Sequence, residues 1–156
     1  MAHLNMSRAG EKKLHAELKQ LKEVKRPEVL AALNEARRKG DLSENAEYDA
    51  AKEEKNFMES RIGELEKMIR RVRIIDDLDI DDSKAYIGAR VELKDVNSGK
   101  ELFYILVNEV EADFKAGKIS TTSPIGKGLL GKGIGEIAEI TVPRGTMKYK
   151  ITGISR

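Results

Sequence analysis

Residues 40–49 read GDLSENAEYD, and no basic residue stands between Lys39 and Lys52. Asp41, Glu44, Glu47 and Asp49 therefore concentrate negative charge in one short stretch. Carboxylate oxygens are hard ligands suited to Mg²⁺, an ion that usually keeps waters and takes one or two carboxylates plus phosphate oxygens. Asp41 and Glu44 alone would hold it weakly. Metal chemistry here requires ligands from another molecule, such as a phosphoryl-transfer active site in which two metals flank the scissile phosphate. Tyr48 stands four residues beyond Glu44, on the same side of a helix, where it could stack on a base, donate to a phosphate or cover a turn. The same stretch has a purely structural reading. Asp41 followed by Glu44 is a capping-box pattern, in which each side chain accepts an orphan amide of the helix start. Sequence alone leaves both open.

The elements on either side must position this stretch. From Ser7 to about Val72 the apolar period is helical: Leu14, Leu18 and Leu21, then Met58, Ile62, Leu65, Ile69 and Val72, step by four and three like a heptad seam. Folding the chain back at residues 41–44 sets Leu21 opposite Ile62 and Leu65, Leu18 opposite Leu65 and Met68, and Leu14 opposite Val72. This predicts an antiparallel helical hairpin with arms reaching roughly 40 Å at ~1.5 Å per residue. Between Val24 and Ala51 the seam weakens, because Lys25 and Glu28 fall where apolar residues are due. Small residues (Ala31, Ala32, Ala36, Ala46, Ala50, Ala51) take over. Such a thin, polar arm suits a probe entering a confined space, or a solvated hairpin with marginal packing. Pro27 predicts a kink, since it lacks a backbone donor and crowds the preceding turn. Gly40 is a natural residue to follow the first helix, with Arg37, Arg38 and Lys39 at the negative end of its dipole.

With 156 residues the chain makes one ordinary domain or two small ones. Its 29 Lys and Arg against 27 Asp and Glu leave a formal net charge of only +2, which argues against a general nucleic-acid coat. Absence of cysteine excludes disulfides, thiolate nucleophiles and sulfur-ligated zinc. No signal-peptide core and no run of ~18 apolar residues is present, so a soluble, cytoplasmic protein is expected.

Past residue 76 the period changes. Residues 77–83 read as an acidic connector, and residues 84–156 as a small α+β domain. The runs ARVEL, ELFYILV, EIAEITV and YKITGI predict a mostly antiparallel sheet. Between them SPIGKGLLGKG predicts one short helix, with Ser123 as cap, Pro124 first and Gly131 closing it.

Two long stretches in order, EARRKGDLSENAEYDAAKEEK (35–55) and EADFKAGKISTTSPIGKGLLGK (111–132), resemble the tip and the C-terminal signature of the bacterial transcript cleavage factors of the Gre family. The Leu-Ser of GDLSENAEY is similar to the GreA type. The resemblance spans essentially the whole chain. It implies an N-terminal antiparallel coiled-coil arm (1–76) followed by a small FKBP-like docking domain. It also implies that RNA polymerase is the partner: the arm enters the secondary channel and stimulates the polymerase's own endonucleolytic cleavage of the backtracked nascent RNA 3′ end. By the same resemblance Asp41 and Glu44 would hold a Mg²⁺ ion shared with the polymerase active site. Ser43 and Tyr48 would complete the catalytic set, Arg37, Arg38 and Lys52 would lie near the RNA, and Asp113, Ser123, Pro124, Ile125, Gly126 and Lys127 would dock on polymerase. The factor would be no nuclease by itself, and a tip that must enter a narrow channel favours a working monomer.

Departures from the family pattern fall mainly in the second stretch. Ile125, Lys127 and Gly128 stand where Leu, Arg and Ala are common, and the Gly should weaken the short helix. The alternative function is a channel-binding inhibitor that does not promote cleavage. Prolyl isomerisation would need a deep aromatic pocket, and the second half offers few aromatic residues. A coiled-coil scaffold would tolerate loss of the tip charges.

Overall fold

A computed structural model describes residues 3–40 and 45–156, the side chain of Asp77 excepted. The chain divides into two compact units, residues 11–72 and residues 3–10 with 73–156.

The first unit is a helical hairpin. Helix α1 (Arg8–Gln20) runs through a π-helical turn (Leu21–Lys25) into α2 (Arg26–Arg38), and α3 (Ala46–Arg71) returns antiparallel. Its buried seam comprises Leu14, Val29, Leu33 and Ala36 on the outward path and Ala51, Met58, Ile62 and Leu65 on the return. Val29, Met58 and Ile62 form one cluster, with Leu18 and Leu21 packed against it. Here the sequence reading needs correction: the seam beyond Val24 does not dissolve into small residues. Of the small residues expected there, Ala36 and Ala51 are buried, but Ala31, Ala32, Ala46 and Ala50 are exposed, and Val29 and Leu33 carry the seam onward.

Polar staples flank the seam. Arg26 donates from Nε and a terminal nitrogen to both oxygens of Glu59 (3.0 and 2.9 Å), and Arg61 does the same to Glu17 (2.8 and 3.0 Å). Lys22–Glu66 (2.7 Å) and Lys25–Glu54 (2.5 Å) add single contacts. Bidentate geometry fixes both partners in one plane, so these pairs specify register even where solvent reduces their energy.

The second unit contains two sheets. Strands β1 (Leu4–Met6) and β2 (Val72–Ile74) form a small pair, and the main sheet has the order β5-β4-β3-β7-β6. Its strands are β3 (Arg90–Asp95), β4 (Glu101–Val107), β5 (Lys118–Ser120), β6 (Ile137–Val142) and β7 (Gly145–Ser155). Three pairings are antiparallel, and β4–β5 is parallel, which makes the sheet mixed. Alternation in β3 and β6 buries Val91, Leu93, Ala138 and Ile140 on the face where Leu106, Ile151 and Leu129 also pack. Leu129 comes from the short helix α4 (Pro124–Leu129). Opposite β7 the register slips between Glu92 and Leu93, and Gly153 sits across from Glu92, where a Cβ would strike the Glu92 carboxylate.

Candidate functional site

The local start of α3 sets the site. Asn45 is its N-cap: Asn45 Oδ1 accepts the Tyr48 amide at 3.0 Å, and Asn45 Nδ2 donates 2.7 Å to the carbonyl of Ala36 in the last turn of α2. One side chain thus caps the second helix and ties it to the first. Asn45 caps the described start of α3, and its amide serves both helices; the capping box read at Asp41 and Glu44 lies outside the described residues. Asp41, Ser43 and Glu44 themselves lie outside the described residues.

Flanking groups are arranged around this cap. The Arg37 guanidinium lies 5.8 Å from the centroid of the half-buried Tyr48 ring, within cation–π range. Lys39 Nζ contacts Glu47 at 3.1 Å, and Arg38 stands 3.9 Å from Glu35 on the exposed face. Gly40, with φ of 133°, takes the chain out of α2 through a conformation that L side chains rarely adopt. Lys52 and Asp49 are exposed on the first turns of α3. The structure therefore gathers Arg37, Tyr48, Lys39 and Glu47 at one end of the hairpin. Sequence reasoning missed Asn45, although an Asn directly before a helix-forming run is itself a cap signal.

The second group of expected site residues lies at the β5 edge of the main sheet. Asp113 leads a short 3₁₀ turn (Phe114–Ala116), and its backbone pairs with Lys118 in both directions at 2.8 and 2.9 Å. Gly117 closes that turn at φ of 77°. At the other end of β5, Ser123 Oγ accepts the Gly126 amide at 3.1 Å and donates to the Ser120 carbonyl at 2.6 Å. Thr122 Oγ1 donates to Glu109 at 2.6 Å, joining the two loops. Asp113, Pro124 and Lys127 are exposed and available to a partner, whereas Gly126 is buried and Ile125 packs against the core. Those two support the surface from beneath. Among the described residues no cluster of three or more His, Cys, Asp or Glu could hold a metal ion.

A helical hairpin whose helices are linked by an acidic stretch of sequence, joined in one chain to a small mixed-sheet domain, defines the class. Residues 4–74 match the family model described as transcription elongation factor, N-terminal, and residues 80–156 match the one described as transcription elongation factor, GreA/GreB, C-term. The chain belongs to the GreA/GreB family of transcription elongation factors. It is 54% identical to transcription elongation factor GreA of Flavobacterium psychrophilum over 94% of this chain and 93% of that protein. It is 55% identical to the GreA of Flavobacterium johnsoniae over the same shares. A crystal structure of the GreA factor homolog Gfh1 of Thermus thermophilus is 29% identical over 99% of both chains, with a TM-score of 0.45.

Proposed function

We propose that the acidic turn of this elongation factor works inside RNA polymerase, where it stimulates the polymerase's own endonucleolytic cleavage of the 3′ end of backtracked nascent RNA. The protein is a cofactor of that reaction and no nuclease itself. The observation that carries the reading is Asn45 acting as the cap of α3. The start of α3 is capped by a residue other than Asp41 or Glu44, which supports a role for those carboxylates beyond capping. Their hard oxygens suit Mg²⁺, and their small number calls for further ligands from the polymerase active site and the RNA phosphate. When bound, the shared ion would stabilise charge on the attacking and leaving oxygens. Ser43, between Asp41 and Glu44 in sequence, would assist.

The described flanks support this assignment. The Tyr48 amide donates to Asn45 and Arg37 lies across the Tyr48 ring, so Tyr48 stands at the start of α3 with a cation on its face. Arg37, Arg38 and Lys52 supply positive charge toward the phosphates of extruded RNA. On the second unit, Asp113, Pro124 and Lys127 present an exposed surface for docking on the polymerase, with Ser123, Ile125 and Gly126 shaping it. The factor acts as a monomer in the cytoplasm, where polymerase works. No helix among the described residues is long and apolar enough to cross a membrane.

A backtracked polymerase complex with end-labelled transcript tests the reading. Wild type is expected to accelerate Mg²⁺-dependent shortening, and Asp41→Asn and Glu44→Gln to lose it while keeping the circular dichroism spectrum. Shortening by both variants at the wild-type rate would overturn the metal assignment. An intact transcript with wild type would favour a non-cleaving channel inhibitor.

A further inference from the structure

Beside the π-helical turn, the hairpin carries a groove of about 650 Å³. Leu21 and Met58 line its apolar part, and Phe57 stands at its side with 78% of its surface exposed. Both ends are fenced by inter-helix ion pairs, Lys25–Glu54 at 2.5 Å and Arg61–Glu17 at 2.8 Å. Glu64 adds a third carboxylate, 3.3 Å from Arg61. The lining thus holds Glu17, Glu54 and Glu64 against Lys25 and Arg61, an excess of negative charge around an exposed ring.

We infer that this groove receives an arginine or lysine side chain from the wall of the polymerase channel, its cation over the Phe57 ring and its aliphatic stem on Leu21 and Met58. The inference rests on the proposed function, which brings the arm into that channel. Phe57 lies ~17 Å along α3 from Ala46 at 1.5 Å per residue, set back from the tip. Charge decides the class of occupant. An exposed ring is also a platform for a nucleic-acid base, but the lining sets three carboxylates against two cations, so phosphates would meet net negative charge there, whereas a cation gains both the ring quadrupole and that net charge. Long cationic side chains carry the apolar stem that such a groove covers.

The test measures binding of fluorescently labelled factor to polymerase core free of RNA, using wild type, Phe57→Ala, Phe57→Leu and Phe57→Tyr. Thermal unfolding of all four is expected to coincide, because the ring is mostly exposed. Ala and Leu should each weaken binding about tenfold, as loss of an interface anchor does, and Tyr should stay within about twofold of wild type. Unchanged affinity in Phe57→Ala overturns the inference. Wild-type affinity in Phe57→Leu overturns the cation and makes the occupant apolar. Wild-type affinity of Phe57→Ala for the core, with weakened binding in a parallel measurement on a backtracked complex that carries extruded RNA, assigns the ring to a base instead. Failure of wild type to bind polymerase at all removes the proposed function together with this groove.

Discussion

The backbone N–H of Arg26 donates to the carbonyl of Leu21, five residues back, and closes a π-helical turn in the first arm of the hairpin. That one wide turn accommodates an extra residue, and the consequence runs along the seam. A continuous heptad from Leu21 would bury positions 25, 28, 32 and 35. The structure instead buries Val29, Leu33 and Ala36, each one residue later than positions 28, 32 and 35. Pro27 follows directly, as the second residue of α2. Its ring crowds the preceding turn and it has no donor, and widening that turn relieves the crowding.

Deletion of Glu23, an exposed residue in the wide turn, should therefore restore an ordinary α-helix with the seam still in phase. The deletion alone returns Pro27 to a tight helix interior and is expected to cost about 3 kcal/mol. Combined with Pro27→Ala, the loss should largely vanish. Urea unfolding of the two single variants and the double variant reads the coupling. Additive effects would show that the turn and the proline are independent.

What the sequence disclosed follows from the range of the interactions involved. The hairpin and its fold-back were legible because Met58, Ile62 and Leu65 repeat at heptad spacing, a signal summed over many residues. The displaced seam at Val29 was legible in principle, since its phase slip coincides with Pro27, but a polar residue at an expected apolar position reads first as weakening. Strands β1, β2 and β5 have three residues each, too few for alternation to stand out, and their pairing depends on partners remote in sequence. Asn45 was hidden by a competing capping box four residues earlier.

Asn45 makes two bonds with two different costs. Asn45→Ala should remove the cap and the link to the Ala36 carbonyl, which keeps only the Lys39 amide, losing about 1–2 kcal/mol of local stability. Asn45→Asp keeps an acceptor for the Tyr48 amide and loses only the donor to Ala36, so it should fall between. Hydrogen exchange at the Tyr48 and Asp49 amides reports the difference. Unaltered protection in Asn45→Ala would mean that the cap is not what holds the start of α3.

Acid should loosen both units. The hydrogen bond from Lys22 holds the Glu66 carboxyl below its ordinary range. Backbone amides of Ser98 and Asn97 do the same for Asp95 in the turn between β3 and β4. A carboxylate depressed on folding contributes stability that is complete above its unfolded pKa, ~4, and is lost as pH falls through the lower folded value. Lys25 is raised by its hydrogen bond to Glu54, so its contribution is present below ~10.4 and disappears as pH climbs through the raised value. Thermal scans should show a plateau from about pH 5 to about pH 10, and Glu66→Gln should flatten only the acid limb. Because these groups are exposed, raising the salt concentration should shrink the limbs owed to the Lys22–Glu66 and Lys25–Glu54 pairs.

The two glycines of α4 differ in what they permit. A Cβ at Gly128 would come within 2.7 Å of Cγ1 of Ile140, a buried side chain of β6. Alanine there would gain about 1 kcal/mol of helix propensity but would force this stiff neighbour aside, at a cost of about 1–3 kcal/mol. Gly128 therefore serves close packing here, and Gly128→Ala should be mildly destabilising. At Gly126 the obstacle is backbone: a Cβ would lie 2.0 Å from the Ser120 carbonyl oxygen, the atom that also accepts from Ser123 Oγ. Gly126→Ala should then displace the start of α4 and lose more than about 2 kcal/mol, well beyond the Gly128 variant. Urea unfolding of both proteins ranks them. A Gly126→Ala protein as stable as wild type would mean that α4 can shift as a body, and that the surface formed by Ser123, Pro124 and Lys127 is not rigidly built.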